Sequence, residues 1–170
     1  MNVLDRLRPM RFVSSNGNDN RSPARYEAVL RQFNFDTSLR YQPAGGDTFC
    51  NIAAWDASRA LCCEVPHWWN NLNGSYGMQE LVINEGILWL GTEGVDYGWT
   101  QVDADAAKAA AALGQPTLVT WRNPTGHGHI AWVMPDWTLA QAGASCGYGI
   151  SFTSVFTPAM MPQLEFWTHS

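Results

Sequence analysis

The feature that most constrains the fold is a change of pattern at Gly114-Gln115-Pro116: apolar residues recur at helical spacing before it and fall into short strand-like runs after it. Upstream, Ser22-Pro23 opens a helix to about Phe33 as N-cap and first-turn proline, with Tyr26, Val29, Leu30 and Phe33 at helical spacing. Pro-Ala-Gly-Gly at 43–46 then breaks the chain, and Asp47 or Thr48 caps a second helix expected over 49–61. Further helices are expected over 79–90 and over the alanine-rich 103–113. Downstream, 117–121, 129–134, 138–143, 150–156 and 164–167 read as strands. Helices first and an antiparallel meander second predict an α+β domain.

The 170 residues suit one domain over 23–170, preceded by an N-terminal extension or loop over 1–22. A formal charge of -5 with only ten Lys plus Arg, and a pI near 5.2, leave no basic footprint for nucleic acid. No stretch has the apolar length of a membrane span, and MNVLDRLRPMRF lacks the h-region of a signal peptide, so action outside the cytosol requires separate delivery. The four cysteines, an adjacent pair and two distant singles, are expected to be reduced thiols. Cys62, Cys63 and His67 lack the spacing of a zinc site, and SSNGNDNRS at 14–22, read as a loop, lacks that of an EF-hand. No phosphate-cradling loop occurs, and no cofactor is expected. Most of the nine Trp are expected in the core, although a sugar-containing ligand would also favour exposed indole faces.

Cys50 falls in the first turn of the helix predicted over 49–61, where the macrodipole and free N–H groups favour a thiolate and an oxyanion. Ala53, Ala57, Ala60 and Leu61 share its side, a face of mostly small residues suited to close approach to a sheet. A cysteine nucleophile needs a base, and His67, His127, His129 and His169 are the candidates. His129 leads a strand with Ala131 and Val133 on its face, and small Ala131 is expected to leave room for the Cys50 helix. If the following turn is 135–137, Gln141 becomes the diagonal neighbour of His129 on that face; a two-residue turn puts it on the other. A buried structural thiol and a half-exposed strand-end histidine remain the plain alternatives.

"TFCNIAAWDASRAL", "GW" at 98–99, "AAALGQPTLVTWRNPTGHGHIAWVMP" and "AQAGAS" together resemble the papain-like cell-wall peptidases and amidases of the NlpC and CHAP type, phage lysins and secreted antibacterial effectors above all. The resemblance covers about residues 23–169. It implies an α+β papain-like fold, with N-terminal helices, among them a central nucleophile helix, packed on a C-terminal antiparallel sheet. It makes Cys50 the nucleophile, His129 the general base and Gln141 the residue that orients the imidazole, with the Cys50 N–H as oxyanion donor. Phe-Cys-Asn-Ile stands where several NlpC-type enzymes have Asp-Cys-Ser-Gly, which leaves open the bond that is cut.

The expected function is cofactor-free, bacteriolytic hydrolysis of an amide bond in peptidoglycan, by a stem-peptide endopeptidase or an amidase. Trp68, Trp69 and His127 are expected to line the groove, a packed loop being the alternative for the aromatics. Asn51 is placed beside the nucleophile as a substrate contact or a local backbone ligand, and Asp56 and Arg59 as a surface pair, a substrate contact being the alternative. Peptidoglycan is the expected partner, with an immunity protein or a secretion or phage delivery component. The chain is expected to be made in the cytoplasm and to act at the wall or periplasm after holin release or secretion. The rival readings are a transglutaminase- or deamidase-like toxin acting on protein, and a non-catalytic wall-binding protein.

Overall fold

A computed structural model describes residues 3–12, 14–70 and 77–170. After a single turn α1 (Val3–Arg6), helix α2 (Pro23–Arg31) starts as expected, with Ser22 Oγ accepting from the Arg25 N–H and Tyr26, Val29 and Leu30 buried. Helix α3 (Cys50–Ala60) is buried along nearly its whole length, since Asn51 and Arg59 alone among its residues are more than slightly exposed. Its N-cap is Phe49, and no side chain caps it. Asp47 is engaged elsewhere: its N–H and C=O pair with Ala44 across a turn whose Gly45 and Gly46 take positive φ (65° and 91°).

A small hairpin follows, β1 (Trp68–Asn70) with β2 (Met78–Glu80), in the register Trp68 to Glu80. Residues 71–76 of the predicted aromatic stretch lie outside the described residues. The helix expected over 79–90 therefore starts later, as α4 (Ile83–Thr92), because β2 claims the residues before it. Helix α5 (Ala104–Ala112) matches its prediction, with Asp103 accepting from the Ala106 N–H as its cap.

The main sheet is antiparallel and six-stranded. Its strands are β3 (Trp99–Val102), β4 (Thr117–Trp121), β5 (His129–Val133), β6 (Leu139–Gln141), β7 (Gly147–Ile150) and β8 (Glu165–His169), in the order β3-β8-β4-β5-β6-β7. The edge strand β3 was not expected. The run 150–156 is not a strand either: after Ile150 the chain turns at Ser151 into a short helix α6 (Phe152–Val155), which buries Phe152. Both faces of the sheet are covered. Leu118, Ile130, Trp132, Ala140 and Trp167 pack in one core with α2, α3 and α4, whereas Val119, Ala131, Val133, Leu139 and Phe166 pack in a second core with Ala107, Ala111, Phe152 and Phe156.

This pattern corrects two expectations. The small residues of α3 meet Ile130 and Trp132 and not the Ala131 face, because their lack of bulk accommodates an indole. Asp56 is not paired with Arg59 at the surface. It is fully buried and accepts from Arg40 Nε (2.6 Å), Arg40 Nη2 (3.1 Å) and Tyr41 Oη (2.9 Å), while Arg59 donates to the Met10 carbonyl. Arg40 also donates to the carbonyls of Asp5 and Arg8, so the same ion pair straps the N-terminal segment onto the outside of α3. All four cysteines are free. Among the described residues no cluster of three His, Cys, Asp or Glu is placed to hold a metal, and no helix is long and apolar enough to cross a membrane.

Candidate active site

Cys50, 4% exposed, opens α3 and lines a cleft of about 420 Å³. The strand that carries His129 begins directly beside it: the Ile130 N–H, one peptide beyond His129, faces the Cys50 sulfur together with the N–H groups of Asn51 and Cys50 itself. These donors favour the thiolate, but burial outweighs them and pushes the thiol up to about 11.

His129 is oriented by the strand after its own. A turn over 135–137 closes the β5–β6 hairpin, with the Met134 N–H donating to the Thr138 carbonyl (2.7 Å), Trp137 at φ 62° and Asp136 Oδ1 accepting from the Thr138 N–H. Trp132 then faces Ala140 and Val133 faces Leu139, the register that sets Gln141 on the face of His129. His129 Nε2 and Gln141 Oε1 are 2.5 Å apart. Gln141 Nε2 donates to the Ser145 carbonyl (3.0 Å) and Oγ (3.1 Å), which fixes the amide with its oxygen toward the ring. An amide oxygen can only accept, so Nε2 carries the proton and Nδ1 keeps the lone pair of a base.

The ring is closely fitted. A methyl group at Gly143 would stand 2.9 Å from His129 Cε1, and the Phe156 ring packs edge-on with centroids 5.8 Å apart. Burial lowers the His129 pKa, and the Gln141 hydrogen bond only partly opposes it. A raised thiol and a lowered imidazole make the resting pair neutral, and the two groups are not hydrogen-bonded to each other.

Of the other expected site residues, Asn51 and His127 line the cleft with Cys50. Asn51 Nδ2 also donates to the Leu81 carbonyl (3.4 Å). His127 is exposed on a loop that Asn84 holds from one side chain, donating to the carbonyls of Asn123 and Gly126 (both 2.8 Å) and accepting from the Asn123 N–H. Gly128 completes that hold, since a Cβ there would come within 2.5 Å of the Trp121 carbonyl and 2.6 Å of Asn84 Oδ1. Trp68 and Trp69 are not among the cleft residues. Trp69 packs against Trp89 and Tyr97, and Trp68, 37% exposed, stands edge-on to His67.

The remaining histidines lie apart from the thiol. His169 is tied to the Tyr97 carbonyl through Nε2 and to Arg21 through Nδ1. His67 is buried against Trp55, neither ring nitrogen finds a hydrogen-bond partner among the described residues, and burial lowers its pKa to about 4. Glu80 Oε1 lies 3.3 Å from its Nε2 without hydrogen-bond geometry, and that exposed carboxylate does not offset the burial.

Sequence reasoning missed the charged lining of the cleft, Arg6, Asp47 and Glu80, and the support that Ser145 gives to Gln141. Ser145 had a signal, a hydroxyl four residues after Gln141 across the glycine of "AQAGAS"; Arg6 had none, because its place depends on the strap to α3. The scan against protein-family models gives no match, and the search of curated proteins gives none either.

Proposed function

We propose that the chain is a cysteine hydrolase of papain-like architecture that cuts an amide bond of bacterial peptidoglycan, within the stem peptide or between peptide and glycan. One observation carries the catalytic part: an uncapped helix starts at Cys50 against the first peptide of the strand whose His129 is held by Gln141. The assignment of peptidoglycan as substrate rests on the sequence resemblance.

In this reading the Cys50 thiol gives its proton to His129 Nδ1 as the sulfur attacks the amide carbonyl. The oxyanion is met by the Cys50 N–H, left without a side-chain cap at the head of α3. His129 then protonates the leaving amine, the C–N bond breaks, and a thioester remains. Water, deprotonated by His129, attacks the thioester and releases the carboxylic acid with restoration of the thiol. Gln141 supplies no charge, and its part is to hold the ring and fix the tautomer. Because the resting pair is neutral, proton transfer accompanies attack and does not precede it.

The test is mass spectrometry of soluble fragments released from purified peptidoglycan by the wild type, Cys50→Ser, His129→Ala and His127→Ala. Fragments from the wild type and His127→Ala, with none from the other two, support the reading, and their masses name the bond. Intact walls with a correctly folded wild type sink it. Activity lost with His127 and kept without His129 moves the base to the cleft-lining imidazole.

A further inference from the structure

We propose that Arg6 is a carboxylate-binding residue of the cleft, so that the ligand accepted beside Cys50 carries a carboxylate next to the group that reacts. The inference rests on the hydrolase reading only in taking that ligand to be a substrate.

Arg6 lines the cleft yet is 4% exposed. Its guanidinium carbon lies over the Phe49 ring, 3.6 Å from the centroid, on the residue immediately before Cys50. One nitrogen, Nη1, donates to the Gln42 carbonyl (2.9 Å). Among the described residues the buried Nε has no hydrogen-bond partner and no carboxylate lies within 4.0 Å of the guanidinium. The neighbouring cation Arg40 has Asp56 for its own charge, and its repulsion adds to the burial that disfavours a charged Arg6.

A buried guanidinium without a counter-ion is costly, and a purely structural role would be met by an uncharged side chain stacked on Phe49. A bound carboxylate accounts for all of these features: it neutralises the charge, satisfies the free nitrogen in the planar geometry that arginine favours, and lies one residue from the reactive thiol. Asp47 and Glu80 also line the cleft, but both are exposed, so solvent screens them more than it screens Arg6.

The experiment uses small alkylating probes and no wall substrate. Rates of Cys50 modification by iodoacetate and by iodoacetamide, read by peptide mapping, give the preference for a carboxylate at the thiol. Wild type is expected to show an iodoacetate-to-iodoacetamide ratio about tenfold above that of Arg6→Gln, with the iodoacetamide rate unchanged between them and Arg6→Lys in between. An equal ratio in wild type and Arg6→Gln overturns the proposal. If Arg6→Gln does not fold, the wild type decides alone: N-acetylglycine slows its reaction with iodoacetamide where N-acetylglycinamide does not, and equal protection by the two overturns the proposal. Intact walls with a preserved iodoacetate preference would sink the proposed function and leave this site standing, whereas cut walls with no preference would sink the Arg6 assignment alone.

Discussion

Two polar constellations share helix α3 and are built in opposite ways. At Asp56 both carboxylate oxygens are taken, by Arg40 and Tyr41, in a fully buried network that also fastens the N-terminal segment. At Cys50 the helix end is uncapped, the thiol is met by the Ile130 N–H and not hydrogen-bonded to His129, and an arginine in the cleft has a free nitrogen. In the proposed function the difference separates structure from chemistry: the satisfied network holds α3 in place, and the unsatisfied one is left for a ligand.

The strongest way to break the comparison is at its satisfied end. Asp56→Ala leaves the Arg40 charge buried and unpaired and should lower stability by about 3–5 kcal/mol. Cys50→Ser should change it by no more than about 1–2 kcal/mol while abolishing turnover. Urea denaturation of both variants checks this. Equal losses would show that the cysteine end is as structural as the aspartate end.

A second effect concerns His67, which packs on Trp55, the α3 residue before Asp56. Its pKa is about 4 in the folded state, against about 6.5 when exposed. The unfolded chain therefore binds the proton more readily, so this contribution to stability is intact above about pH 6.5 and is lost as pH falls toward 4, by about 3 kcal/mol. His67→Phe keeps the stacking and removes the titration. Its denaturation midpoint should fall less between pH 7 and pH 4 than that of the wild type, and parallel falls would exclude His67 as a source of acid sensitivity.

Legibility differed between the two constellations for a physical reason. Cys50, His129 and Gln141 were visible because each stands at a fixed position in a local pattern: first turn of a helix, first residue of a strand, diagonal place across a short hairpin. The Pro135-Asp136 turn sets that register, and of the two turns the sequence leaves open it takes the three-residue one. The Asp56 network was misread, because a charge on a helix is assigned to the surface by default and only tertiary packing brings Arg40 and the N-terminal segment over it. The same packing hid Arg6, which α1 delivers to the cleft. The run 150–156 failed because its β-branched and aromatic residues suit a strand, while the chain turns at Ser151 to place Phe152 and Phe156 on the outer face of the sheet.

Gln141 sharpens the comparison from the active side. Gln141→Ala should lower kcat/KM on released fragments by about 10–100-fold, since the imidazole loses its only side-chain hydrogen-bond partner among the described residues but keeps its strand position. Gln141→Glu replaces a neutral acceptor with a charge and should raise the His129 pKa, which burial holds low. Because the proposed mechanism needs His129 neutral to accept the thiol proton, the acid limb of the pH–rate profile should move to higher pH. An unmoved limb would separate Gln141 from the titrating group.

The smallest expected effect tests whether orientation alone explains the role of Gln141. Its amide nitrogen has two acceptors on Ser145, the backbone carbonyl and Oγ, and Ser145→Ala removes only the second. The carbonyl still ties the nitrogen down and keeps the amide oxygen on His129, so kcat/KM should fall by only about 2–5-fold, the worth of one hydrogen bond of about 0.5–1 kcal/mol. If the remaining bond is too weak to prevent the amide from turning over, the nitrogen faces the ring and the tautomer changes. The loss then rises to that of Gln141→Ala, and addition of Gln141→Ala to Ser145→Ala produces no further decrease. The double variant thus decides whether the serine hydroxyl is one of two fasteners or the one that sets the direction of the amide.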